Sequence, residues 1–94
     1  MRELPGGEIV EQGLSDLRSG LLTESALVCL LARTRLRGFG IDVPAVDLSP
    51  ETPEHRLYSL LEERLGRGAH SAYNALIRRI VSFARALRLH STLS

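Results

Sequence analysis

The sequence predicts an all-α fold, a small four-helix bundle-like domain with one long glycine- and proline-containing loop between its second and third helices. Three observations predict it. Four stretches repeat apolar residues at the i, i+3, i+4, i+7 spacing of a single helix face. Each stretch is bracketed by residues that start or stop helices. The chain has 94 residues, 44% of them apolar, which suffices for one hydrophobic core and leaves no room for a second.

The first helix is expected over residues 8–18, with Ile9, Val10, Leu14 and Leu17 on one face and Glu8, Glu11, Ser15 and Arg18 on the other. Early acids and a late arginine complement the helix dipole, and Gly20 ends the segment. The second helix, residues 24–36, begins after Thr23 as N-cap and is expected to stop at Gly38. Its centre, residues 26–32, is apolar on every face. Such a helix must be covered all round, so either it is central to the fold or a second copy of the chain covers one side.

The third helix is expected over residues 53–65, with Thr52 as N-cap, Pro53 in the first turn and Gly66 as stop. Leu57, Tyr58, Leu60, Leu61 and Leu65 form its apolar stripe. The fourth, residues 71–88, presents Tyr73, Leu76, Ile77, Ile80, Ala84 and Leu87 inward, with Ser71 or His70 near its N-cap. Between the second and third helices lies loop 37–52, carrying Gly38, Gly40, Pro44 and Pro50. It is expected to be ordered, with its apolar residues lidding the helices, because a structureless loop of this length is uncommon inside a compact domain.

Composition narrows the function classes. All 12 cations are Arg, and with 11 acids the formal charge is only +1, so bulk charge argues for neither a nucleic-acid nor a membrane partner. The arginine-only usage and 18 leucines fit a GC-rich, prokaryotic genome. No apolar run approaches the ~20 residues of a membrane span. The first residues lack the pattern of a secretory signal, and a lone Cys29 forms no internal disulfide, so a cytoplasmic address is expected.

The near-neutral total conceals a segregation. Residues 1–32 sum to −3, residues 33–37 to +3, residues 38–66 to −4 and residues 67–94 to +5. The last helix is therefore a basic rod. Arg78 and Arg85 share one strip of it, and the turn before it, residues 66–71, combines two glycines with Arg67 and His70 at a helix start. Exposed N–H groups and cations in such a place attract anions, which makes Arg67, His70, Arg78 and Arg85 the candidate anion-binding residues. The competing expectation pairs these arginines with Glu62 or Glu63 of the neighbouring helix.

Other chemistry is poorly supplied. The turn follows a helix and not a strand, so it is no dinucleotide fingerprint, and a chain without lysine has no Walker motif. His55, His70 and His90 lack metal-ligand spacing, so no metal and no cofactor is expected. Cys29 lies among apolar residues and reads as packing.

One pattern resembles that of a known family. The run from Arg85 to His90, Arg-Ala-Leu-Arg-Leu-His, resembles the Arg-x4-6-His motif of HEPN-type ribonucleases, small all-helical proteins that dimerise to cut RNA without metal. The likeness covers six residues and the helical class. It implies His90 as general acid or base on the ribose 2′-hydroxyl and Arg85 as the phosphate-stabilising cation.

The leading expectation is a non-enzymatic helical protein acting through oligomerisation or a protein partner. Nucleic-acid or phosphate binding through the basic helix is the alternative, and ribonuclease activity the third. A homodimer is expected from the all-round apolar second helix, with Ala72, Ala75, Phe83 and Ala86 as its candidate interface.

Overall fold

The computed structural model describes residues 3–93, with side chains described through residue 90. Among the described residues the fold is all-helical: α1 (Gly7–Arg18), α2 (Glu24–Leu31), α3 (Arg33–Gly38), α4 (Pro53–Leu65), a 3-10 turn (Gly66–Gly68) and α5 (Ala69–Leu93). Helix α5 has 25 residues, about 37 Å at 1.5 Å per residue. It sets the long axis of a molecule measuring 42 × 26 × 19 Å.

Helix α1 buries Ile9, Val10, Leu14 and Leu17 as its periodicity requires. It ends in a Schellman motif. Gly20 takes φ +77°, its N–H donates to the Leu17 carbonyl at 3.1 Å, and the Leu21 N–H donates to the Asp16 carbonyl at 2.8 Å. The next helix is tied to this end. Thr23 Oγ1 accepts from the Ala26 N–H at 3.2 Å and donates to the Asp16 carboxylate, which also accepts from Gln12 Nε2 at 2.9 Å. Asp16 is only 8% exposed, and these partners satisfy it where a bare carboxylate would be costly.

Helices α1 and α2 meet at Gly13. A Cβ there would stand 2.3 Å from the Ser25 carbonyl oxygen and 2.5 Å from Cys29 Sγ, so only glycine permits this approach. Cys29 donates its S–H to the Val10 carbonyl oxygen at 3.5 Å. Burial pushes the thiol pKa up to about 12, with the Asp16 charge adding to the rise. It stays protonated and inert at neutral pH.

The predicted helix over residues 24–36 is broken at Ala32 into α2 and α3. Ala32 (φ −95°, ψ 10°) lies outside regular helical geometry. The new direction lets Arg33 Nε donate to the Val43 carbonyl at 2.9 Å and buries Leu36 completely. The stop is Gly40, not Gly38. Gly40 takes φ +84°, and the N–H groups of Gly40 and Ile41 donate to the carbonyls of Arg37 and Leu36 in a second Schellman motif. Beyond it Val43 is fully buried, while Ile41 and Leu48 pack against the core.

Helix α4 begins as its sequence demands, with Pro53 in the first turn and Thr52 Oγ1 accepting from the His55 N–H at 3.2 Å. Leu57 and Leu61 are fully buried. Leu65 is a correction: placed inward by periodicity, it is 40% exposed at the end of the helix. The chain then reaches α5 through the 3-10 turn, so α5 starts at Ala69, before Ser71, and runs past Arg88. Tyr58 and Tyr73 join α4 to α5, their ring centroids 5.6 Å apart and planes tilted by 56°. Arg64 adds a two-pronged bond from α4 to the Glu24 carboxylate of α2, at 2.7 and 2.9 Å.

Helix α2 touches α1, α3, α4 and α5, and Ala26, Leu27, Val28, Cys29 and Leu30 are all buried within the chain. It is the central helix. Within the apolar run 26–32, only Leu31 and Ala32 remain half-buried.

Candidate interaction surfaces

Helix α5 is longer than the elements that cover it, and its flanks carry the surfaces of interest. Its core-facing side holds Ala69, Ile80, Phe83 and Ala84. Next to that side, Tyr73, Ile77, Ile80 and Val81 meet Leu31 and Ala32 in an open groove of about 390 Å³. Exposed Arg35, exposed Glu54 and Asn74 complete its lining. Ile80 forms the floor at 7% exposure, while Ile77 and Val81 are half-buried. Burial raises the Tyr73 hydroxyl pKa above its ordinary value, and the nearby Glu54 carboxylate adds to the rise. Arg35 and Glu54 line one groove, yet neither makes an ion pair among the described residues.

Sequence reasoning missed this groove. The helical period places Ile77 in the core, and the break at Ala32 that sets Leu31, Ala32 and Arg35 beside α5 leaves no local signature. The one available signal was the excess of apolar residues at the end of the second helix.

The candidate anion residues are all exposed but do not converge. Arg67 lies in the 3-10 turn and His70 in the first turn of α5, where His70 Nε2 is 3.2 Å from Asn74 Nδ2. Arg78 and Arg85 follow on one strip further along, about 12 and 23 Å beyond His70 at the helical rise. None of these four pairs with an acid among the described residues, and Glu62 and Glu63 are exposed and unpaired there too. Arg64 pairs instead with Glu24, and Arg56 with Glu51. Arg78 and Arg79, with Ser82 and Ala75, also border a notch of about 360 Å³ against Pro5 and Gly6.

That notch exists because the N-terminal segment lies on α5. Gly6 takes φ +77°, and a Cβ there would meet the Arg79 carbonyl oxygen at 2.5 Å. The same contact corrects one expected interface residue. Phe83 is fully buried in the chain's own core, with Gly6 against it, and is not on a surface. Ala72, Ala75 and Ala86 are half-buried on the flank beside it, and Ala72 packs against the core.

Arg85 and His90 sit on one continuous helix, about 140° apart around its axis. Arg85 faces solvent, whereas His90 borders a hollow with Glu3, Leu4, Phe39, Ile41 and Leu87. A single chain does not bring the two together. Over α1 and α2, the polar side chains Asp16, Thr23 and Glu24 line another hollow of about 640 Å³. All three are engaged in the structural bonds described above. No cluster of metal-ligating side chains occurs among the described residues, and no helix there is long and apolar enough to cross a membrane. Comparison with protein-family models, curated proteins and solved structures finds no match to this chain.

Proposed function

We propose that this chain is a non-enzymatic helical interaction protein of the prokaryotic cytoplasm, a single four-helix bundle-like domain that works by oligomerising or by docking a protein partner. The observation that supports it is the open apolar groove along α5, lined by Leu31, Ala32, Tyr73, Ile77 and Val81. Apolar side chains gathered in an uncovered groove lose water only when a partner arrives, so they favour association at ~25 cal/mol per Å² buried. The buried thiol of Cys29 suits a reducing compartment.

The reading has a direct test at sub-micromolar protein. Ile77→Glu is expected to lower the unfolding free energy by only about 1 kcal/mol, since Ile77 is half-buried at an open edge where its loss leaves no closed cavity. The same variant should abolish uptake of an uncharged apolar dye such as Nile red by the folded chain. A loss of ~3 kcal/mol, the scale of a damaged core, or undiminished dye uptake, would overturn it.

A second reading, phosphate or nucleic-acid binding through α5, is supported by the exposure of Arg67, Arg78 and Arg85 without acidic partners among the described residues. It predicts retention on heparin at low salt, and earlier elution for Arg78→Gln/Arg85→Gln, because each phosphate contact steepens the salt dependence by roughly one unit. Flow-through of the wild-type protein at low salt would count decisively against it.

A further inference from the structure

We propose that the occupant of the α5 groove is a second copy of this chain, held in an isologous contact in which Arg35 and Glu54 of each copy pair with Glu54 and Arg35 of the other. This rests on reading the groove as a docking surface, and it names the partner.

The argument is charge complementarity. The groove is apolar along its length and carries one exposed cation and one exposed anion among its lining residues. The two leave each other unpaired within the chain, and neither has another ionic partner among the described residues. A twofold axis passing between Arg35 and Glu54 sets each charge against its opposite, so such a contact complements itself with no foreign partner. A purely basic or acidic rim would repel its own copy. The strip of Arg78 and Arg85 lies about 40–100° around α5 from Ile77 and Val81, and neither arginine lines the groove.

Size sets the expected strength. Nine residues line the groove, against ~20–30 a side in a standard stable interface. The dimer is therefore a weak one, with dissociation in the micromolar range. Because each substitution acts twice in an isologous dimer, reversing one charge turns two attractions into two repulsions. That is expected to weaken association about tenfold or more.

Sedimentation equilibrium from low-micromolar to near-millimolar protein tests this. Wild type should pass from monomer to dimer, Ile77→Glu should remain monomeric, and Arg35→Glu and Glu54→Arg should each weaken the dimer about tenfold. The double exchange Arg35→Glu/Glu54→Arg should restore it to within about threefold, since it re-forms both pairs. Arg18→Glu, the same charge change on an exposed position of α1 away from the groove, controls for net charge. Circular dichroism confirms that each variant is folded. A wild-type chain that is monomeric throughout overturns the proposal, as does a dimer indifferent to Ile77→Glu or a double exchange that fails to restore association. The dye and stability results under "Proposed function" do not depend on self-association, so the groove reading and the second-copy proposal fail separately.

Discussion

Replacing Gly13 with alanine is expected to destabilise the protein by about 3 kcal/mol, lowering its thermal midpoint by roughly 12–24 °C for a domain of this size. Alanine is the better helix former by ~1 kcal/mol, so an uncrowded site would gain from the change. Here the added methyl would lie 2.3 Å from the Ser25 carbonyl oxygen and 2.5 Å from Cys29 Sγ. The first of these is backbone and cannot swing aside. Relief requires α1 and α2 to separate, which loosens Val10, Leu14 and the Cys29 contact together. Gly38→Ala is the matched control. Gly38 is helical, has nothing within 4 Å of an added Cβ and lacks a positive φ, so a gain of up to ~1 kcal/mol is expected. Thermal or urea melts of the two variants, measured by circular dichroism, check both signs. Equal effects would remove the close helix contact as their cause.

The second large effect is expected at Phe83. Phe83→Ala should cost ~3–5 kcal/mol, which approaches the whole stability of a small domain. Phe83 ranks first by volume among the fully buried side chains. It lies where α5 meets the N-terminal segment at Gly6. Phe83→Leu, which keeps most of the volume, should lose much less. The interface expectation predicts otherwise: a surface Phe83 would tolerate alanine with little loss of stability. Urea denaturation of the two variants at sub-micromolar protein, below the concentrations at which the proposed dimer would form, separates core from surface directly.

Most of the helical content was legible because its signals are local. Thr23 and Thr52 act as N-caps, Pro53 opens α4, Gly20 ends α1, and the apolar periods of α1 and α5 find the core. Each of these depends on residues within one or two turns. The failures share another cause. Ala32 is a good helix residue with no breaker beside it, and its departure from helical geometry is accompanied by the distant Val43 carbonyl and by burial of Leu36. Gly38 and Gly40 are both plausible stops by composition, and only the hydrogen bonds to Arg37 and Leu36 select Gly40.

The candidate site divides along the same line. That the last helix is a basic rod is arithmetic on the sequence, and the exposure of Arg67, His70, Arg78 and Arg85 agrees with it. Their dispersion along the molecule follows from a single unbroken α5, which spaces them by the helical rise and leaves no way to gather them within one chain. The face read as an interface from small residues flanks the N-terminal segment, because the left-handed Gly6 brings that segment against Arg79 and Phe83.

By itself, then, the sequence determined the all-helical class, the Thr23 and Thr52 caps and the segregation of charge, since short-range periodicity and side-chain-to-backbone bonds decide these. Tertiary structure alone decided that α2 is central, that the second predicted helix breaks at Ala32, and that Arg35 and Glu54 border one apolar groove on α5. Those three depend on which distant surfaces touch. Packing chooses among faces that are locally equivalent, and a 3.6-residue period cannot distinguish a side chain on the core from one at its open edge.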